Sequence, residues 1–399
     1  MESTNRAYPG SISGSSISSN SIKEEFVDLL QQPYELRHGR RFLRELPYPL
    51  PVDLQEIQRQ NVRTMMGCEI FGSPVAAPTI TKSSVPKRVL ELGCGSGYWS
   101  AICHEYFTSL GHPNVEFVGL DVAPLAPDLK KQGLNWTFVQ HDMRRTPFPF
   151  EDGHFDYIML KDMGLAVPLG PPSQQLTDEC IRICREEGTV EIWESDHCMR
   201  CLLPHPSAAS AKDRHAEDLA IATGTFLFSP GTPFAPAQNK YIVDSNSWIQ
   251  EAFDRRKLPP FPCARVAQIL FQEPEHLADV GSRRIAIPLG ELHWEKERLS
   301  NGKRSKSSSN LAASAKGKGK VGEASLTPDQ AALRMTALWA VLGKIESLEP
   351  LLKEVSGKNS EEWAHWWASM MTNLLEQKGA SSGECLEFGA WWATKRTTL

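Results

Sequence analysis

No run of 18 or more apolar residues occurs in the 399-residue chain, so no membrane-spanning helix is expected. The first residues lack the basic-then-apolar pattern of a secretory signal, so secretion is not expected either. Nine cysteines lie scattered without the spacing of a small disulfide scaffold, which reads as reduced thiols in a cytoplasmic or nuclear protein. A positive excess is also missing. Lys and Arg number 43 against 48 Asp and Glu, a formal net charge of −5, so the chain is no polycation built for nucleic acid. There is no internal repeat.

What is present is ordinary globular composition, 41% hydrophobic and 23% charged, enough for one large or two small domains. Two stretches stand apart. Residues 1–21 carry eight serines and few apolar groups, and are expected to be a disordered tail. Residues 300–320, SNGKRSKSSSNLAASAKGKGK, carry six Lys/Arg and no acid, the mark of a solvated linker. Between them strands and helices alternate. KRVLEL (87–92), NVEFVGLD (114–121), NWTFVQHD (135–142), HFDYIMLKD (154–162) and TVEIWESD (189–196) read as strands, with helices at 96–107 and 173–185, the second ended by Gly188. Such alternation predicts a doubly wound, Rossmann-like α/β sheet with helices on both faces and ligands at the carboxyl ends of its strands.

The first strand runs into RVLELGCGSGYW (88–99), with glycines at 93, 95 and 97. The nicotinamide fingerprint is G-x-G-x-x-G, and here the third glycine comes one residue early. Glu91 sits two residues before the first glycine, where a pyrophosphate would be repelled. S-adenosylmethionine (SAM), with a sulfonium, an ammonium and one carboxylate, suits such a place better. Backbone N–H groups at the helix start can take the carboxylate. Asp121, ending the second strand, can accept both ribose hydroxyls, and Asp142, ending the third, can accept from the adenine amino group.

E-L-G-C-G-S-G, G-L-D, Q-H-D and P-F-P-F-E-D-G-H-F-D, in this order, resemble the class I SAM-dependent methyltransferases over roughly residues 86–200. YPLPVDLQEIQRQ (48–60), RRIAIPLG (283–290) and the Trp-rich C-terminus are similar to the fungal UMTA group, akin to the LaeA-like (TAM-domain) regulators of secondary metabolism. The resemblance implies a seven-stranded, mostly parallel sheet with an antiparallel last strand. In that reading RRIAIPL is strand six, and ECLEFGAWWATKR (384–396) is the last strand, inserted between strands five and six. It implies SAM as cofactor, bound by Glu91, Gly93, Cys94, Gly95, Gly97, Asp121, Val122, Asp142, Met143 and Lys161. The domain plan is then a Ser-rich tail (1–21), an N-terminal helical cap (22–80), a methyltransferase core (86–297), a basic linker (298–326), and C-terminal helices with the last strand (327–397).

Methyl transfer is an in-line displacement whose leaving group is already activated, so the protein mainly aligns the reactants and excludes water. A hydroxyl acceptor also needs a base. Asp162 after strand four, and Asp196 and His197 after strand five, are the candidates; Lys161 and Glu194 lie beside them. Aromatics at 226–253 read equally as a substrate lid, about residues 200–260, or as an outer layer with an apolar stripe. Asp53 and Glu56 fit a helix-capping pattern as well as a site pattern, with Arg59 the likelier site group. DHCMRCLLPH (196–205) crowds His197, Cys198, Cys201 and His205, but zinc motifs separate their ligand pairs by a longer loop, and no metal is expected. The partner expected is a small-molecule substrate, or a regulatory protein if the chain acts as LaeA-like proteins do.

Overall fold

The computed structural model describes residues 30–204, 214–229, 231–295 and 326–397. The expected tail (1–21) and the linker from 298 to 325 lie outside them. The segment 22–80, expected as a helical cap, needs correction. It contains a hairpin of β1 (Tyr34–Arg37) and β2 (Arg40–Leu43). His38 and Gly39 turn it at φ 51° and 74°, the left-handed pair that a two-residue hairpin loop requires. The helical part is α1 (Leu54–Phe71), where the Asp53 carboxylate accepts from the Glu56 N–H at 3.1 Å.

The central layer follows the expected alternation: β3 (Arg88–Leu92), α2 (Tyr98–Ser109), β4 (Glu116–Asp121), β5 (Trp136–Gln140), β6 (Phe155–Lys161), α3 (Pro171–Ile183) and β7 (Cys184–Ser195). The strands are parallel in the order β7-β6-β3-β4-β5, so the chain winds away from β3 in both directions. The period of two sorts the side chains. Val89 packs in the core that holds Trp99 and Cys103 of α2, while Leu90 and Leu92 join Leu176 and Cys180 of α3. Both faces are covered, as parallel sheets require.

The helix expected over 173–185 ends at Ile183. Cys184 is already extended (φ −72°, ψ 134°) and pairs with Phe155. Ladder formation with β6 outweighs the helical stripe. Gly188 lies inside β7, where a Cβ would meet Arg185 O at 2.8 Å.

The chain continues through β8 (Arg200–Leu202), α4 (Arg214–Thr223), β9 (Phe226–Leu227), β10 (Phe234–Pro236), α5 (Lys240–Asp254), α6 (Val266–Phe271) and β11 (Leu277–Pro288). After the linker come α7 (Pro328–Ser347), α8 (Glu349–Ser356), α9 (Ser360–Met371) and β12 (Glu384–Lys395). Capping boxes Thr327/Gln330 and Asn359/Glu362 start α7 and α9. β12 lies antiparallel between β7 and β11, with Trp391 opposite Ile192 on one side and Ser282 on the other. Among the described residues the sheet has ten strands, which corrects the seven-strand count and keeps the mostly parallel centre with its antiparallel last strand. β12 is long enough to overhang β7: Phe388 pairs with Ser195, and Glu384 and Cys385 pair with β8. β10 then adds to β8, and β9 to β11. These three short strands all come from the stretch expected as a lid.

Candidate functional site

A cleft of about 940 Å3, counting its open mouth, lies at the carboxyl ends of β3 to β6 and beneath α1. The turn after β3 shapes its floor. Gly93, Gly95 and Gly97 have φ of 63°, 51° and 68°. The N–H groups of Gly93 and Cys94 donate to Leu120 O, at 2.8 and 3.2 Å, and that of Gly95 to Asp121 Oδ2 at 2.9 Å. The left-handed conformation is needed at Gly95, where a Cβ would have no neighbour nearer than Gln60 Oε1 at 4.0 Å. That open side faces the cleft. Gly97 is different: a Cβ there would strike Leu129 at 2.8 Å, so this glycine serves packing.

Eight of the thirteen residues singled out in the sequence line the cleft: Gly93, Gly95, Asp121, Val122, Asp142, Met143, Lys161 and Asp162. Asp121 also accepts from the Ala123 N–H at 3.1 Å. Burial raises its pKa, against the pull of the Gly95 and Ala123 N–H groups. Asp142 takes both Nε and Nη2 of Arg144, at 2.9 and 2.7 Å; burial favours its neutral form, but Arg144 outweighs this and holds it ionised. Asp162 pairs with Arg63 at 2.6 Å. Burial again opposes ionisation, and the Arg63 and Lys161 charges overcome it.

Five residues are corrected. Glu91 shares the α2 face with Val89, because residues two apart point the same way, and its carboxylate accepts from Ser100 N and Oγ at 3.3 and 2.7 Å. It is buried behind the loop, its pKa pushed up to about 7 by burial, against the Lys161 charge and the Ser100 bonds. Cys94 turns back into the core toward Gly119 and Trp136. Gly97 packs on Leu129. Asp196 and His197 belong to another layer. Asp196 accepts from Cys263 N at 3.1 Å, and His197 is buried against Phe253 with Lys344 Nζ at 3.4 Å. Burial and the Lys344, Arg63 and Arg59 charges keep that imidazole neutral. Asp196, Cys263 and Glu387 bring three potential metal ligands within 4.8 Å of one another. Glu387 is nevertheless bound by Arg200 and Arg284, which already supply the cations.

Helix α1 adds residues of which the sequence showed only Arg59. Arg59, Gln60 and Arg63 share one helical face over the cleft. Arg59 is bidentate with Glu56 at 2.8 and 2.5 Å, Gln60 donates to Tyr48 Oη at 2.9 Å, and Arg63 reaches Ser195 Oγ at 2.6 Å. Asp53 caps α1 and pairs with Arg40 away from the cleft, as the capping pattern suggested. The aromatics of 226–253 line no part of the cleft. Trp248 packs at a tilt against Trp363 and Trp366, and Phe228 stacks on Phe234, which favours the outer-layer reading for these aromatics; residues 205–213 and 230 of the expected lid lie outside the described residues.

A parallel sheet with a glycine turn after its first strand, acids ending the next two, and an antiparallel last strand is the architecture of the class I methyltransferases. Residues 89–188 match the family described as "Methyltransferase domain". Among curated relatives, the mitochondrial citrate synthase-lysine N-methyltransferase CSKMT of Pongo abelii is 29% identical over 27% of this chain and 51% of its own length. The secondary metabolism regulator laeA of Coprinopsis cinerea is 30% identical over 41% of this chain and 40% of its own. The chain thus spans about half or less of the relatives it matches. A solved structure of Haemonchus contortus phosphoethanolamine N-methyltransferase 2, in complex with phosphomonomethylethanolamine and S-adenosylhomocysteine, aligns with 96% of this chain and 75% of its own at 12% identity and a TM-score of 0.36. Residues 89–188 thus match a methyltransferase domain, and the chain is similar at low identity to the laeA regulators.

Proposed function

We propose that the cleft binds SAM and that the protein transfers its methyl group to a small-molecule acceptor of secondary metabolism. The observation that carries this reading is the open side of Gly95 facing a cleft walled by Asp121 and Asp142. A cofactor can occupy the space that any side chain at 95 would take. Each Asp121 oxygen accepts one backbone N–H and keeps a lone pair for a ribose hydroxyl. Asp142 Oδ2 keeps one for the adenine amino group beside Arg144. The methionine carboxylate falls to the remaining donors of Arg59 and Arg63. SAM supplies an electrophilic methyl on a sulfonium. The chain's own part is to hold and orient, with Tyr48 and Leu50 excluding water from the cleft. Asp162 is the one catalytic candidate left on the wall. Held ionised by Arg63, it stabilises nearby positive charge more readily than it removes a proton at neutral pH.

The second reading, a regulator acting through a protein partner, is favoured by the laeA relatives and by two large side chains, Met65 on α1 and Trp339 on α7, about half exposed. Feeding cells [methyl-13C]methionine and comparing metabolites with and without the gene separates the two. Loss of one labelled product is expected for the enzyme. Collapse of many unrelated metabolites with no missing methyl would support the regulator.

A further inference from the structure

A second cavity of about 770 Å3, counting its open mouth, adjoins the cleft on the side of α3 and α6. Met163 forms a wall of both. The second cavity is lined mainly by apolar side chains, among them Leu176, Ile192 and Ile269. Ser173, Thr177, Arg265 and Glu194 are the polar exceptions, and of these only Glu194, near the end of β7, is buried. It is 2% exposed, and its Oε1 accepts from the Gly164 N–H at 2.7 Å. Its Oε2 is buried and has no hydrogen-bond partner among the described residues. Buried polar atoms are normally matched, so this unmatched oxygen on a cavity-lining residue points to a partner that enters the cavity.

The charge state of Glu194 defines what that is. Burial and the Asp162 charge push its pKa up to about 8, Asp196 adds to the rise, and the Gly164 N–H and Arg63 oppose it. The Cys263 thiol nearby is pushed far up and stays neutral, and Arg265 stands exposed at the cavity wall. Near neutral pH this balance favours the uncharged acid. Oε1 is engaged as an acceptor, which leaves the O–H on Oε2 as a donor.

We propose that this cavity binds a neutral, mainly apolar small molecule bearing a carbonyl or ether oxygen, which accepts a hydrogen bond from the Glu194 carboxyl. The site does not depend on what fills the neighbouring cleft.

The probe is 6-propionyl-2-dimethylaminonaphthalene, a neutral naphthalene with one carbonyl and an environment-sensitive emission. It is titrated into the full chain at about pH 7 and about pH 9.5. Saturable, blue-shifted binding is expected at the lower pH. It should weaken roughly 5- to 10-fold at the higher, where the carboxyl ionises and stops donating. Glu194→Gln keeps a donor at both pH values and should bind equally at both. Thr177→Trp, from the half-buried side of α3, fills the cavity and should lose at least about tenfold in affinity; Ile269→Trp does the same from α6 should the first variant melt early. S-adenosylhomocysteine binding by the same samples tests the neighbouring cleft separately. Unsaturable dye binding, unchanged affinity in the filled variants, or the same pH dependence in Glu194→Gln would each overturn the proposal, whatever the cofactor result.

Discussion

Replacing Gly95 by valine probes the cleft without touching the core. The residue sits at φ 51°, where a β-branched side chain costs about 1–2 kcal/mol. Loss of glycine's freedom in the unfolded chain returns about 0.4–1 kcal/mol. Among the described residues, the two chain neighbours aside, no atom lies nearer than 4.0 Å to the new Cβ, so the Cβ itself adds no packing clash. Against a total stability of about 5–15 kcal/mol the variant should remain folded, its Tm lower by a few degrees. Its three added carbons occupy the space assigned to the cofactor. S-adenosylhomocysteine affinity should fall at least about 100-fold, which corresponds to roughly 2.7 kcal/mol. Gly97→Val is the control. Its Cβ strikes Leu129 at 2.8 Å, so it should lose stability first and binding only as a consequence. The assay is a thermal melt and a calorimetric titration of each variant. A Gly95→Val protein that binds within about threefold of the wild type would refute the reasoning, because the turn would then face no ligand.

Three further outcomes follow from the same geometry. Asp121→Ala leaves the Gly95 and Ala123 N–H groups without their acceptor, at about 1–3 kcal/mol each, so it should lower the urea midpoint as well as cofactor affinity, while Asp121→Asn should be milder in both. Burial, with Arg63 and Arg59 nearby, pulls the Lys344 pKa down to about 7 from its ordinary 10.5. The unfolded chain then binds the extra proton between these values, so stability rises with pH over that window, and Lys344→Met should flatten the rise by up to about 1.4 kcal/mol per pH unit in urea melts at pH 7, 8.5 and 10; equal slopes would show that the lysine stays charged when folded. A chain ending at Gly383 loses β12, including the buried Trp391, a residue type worth about 3–5 kcal/mol on truncation alone, and should give no cooperative melt although it keeps every glycine and acid of the cleft.

The strands of the centre were legible because parallel strands buried on both faces read as short apolar runs, and the glycines marked where β3 ends. Asp121, Asp142 and Lys161 could be placed for the same reason: each ends or follows a strand, and strand ends gather at one edge of the sheet. Side-chain facing was harder. Glu91 stands two residues before Gly93, yet the period of two sends it to the Ser100 side and away from the cleft. Asp196 and His197, just past the end of β7, were sent elsewhere by contacts with Cys263 and Lys344, which come from distant parts of the chain. Arg63 carried no local signal, since its partners Asp162 and Ser195 lie about a hundred residues away in sequence or more. The hairpin at 34–43 was hidden by its arginines, which spoil the alternation that would mark a strand. The aromatics of α5 fitted a lid or an outer layer equally until Trp363 and Trp366 supplied the surface they pack on.

Calorimetric titration of the intact chain with SAM, S-adenosylhomocysteine and NADH tests the central claim most directly. Saturable one-site binding of the first two, with no heat from NADH, is the predicted result. NADH binding, or no binding of either sulfur compound to a cooperatively folded chain, would contradict the assignment of the cleft.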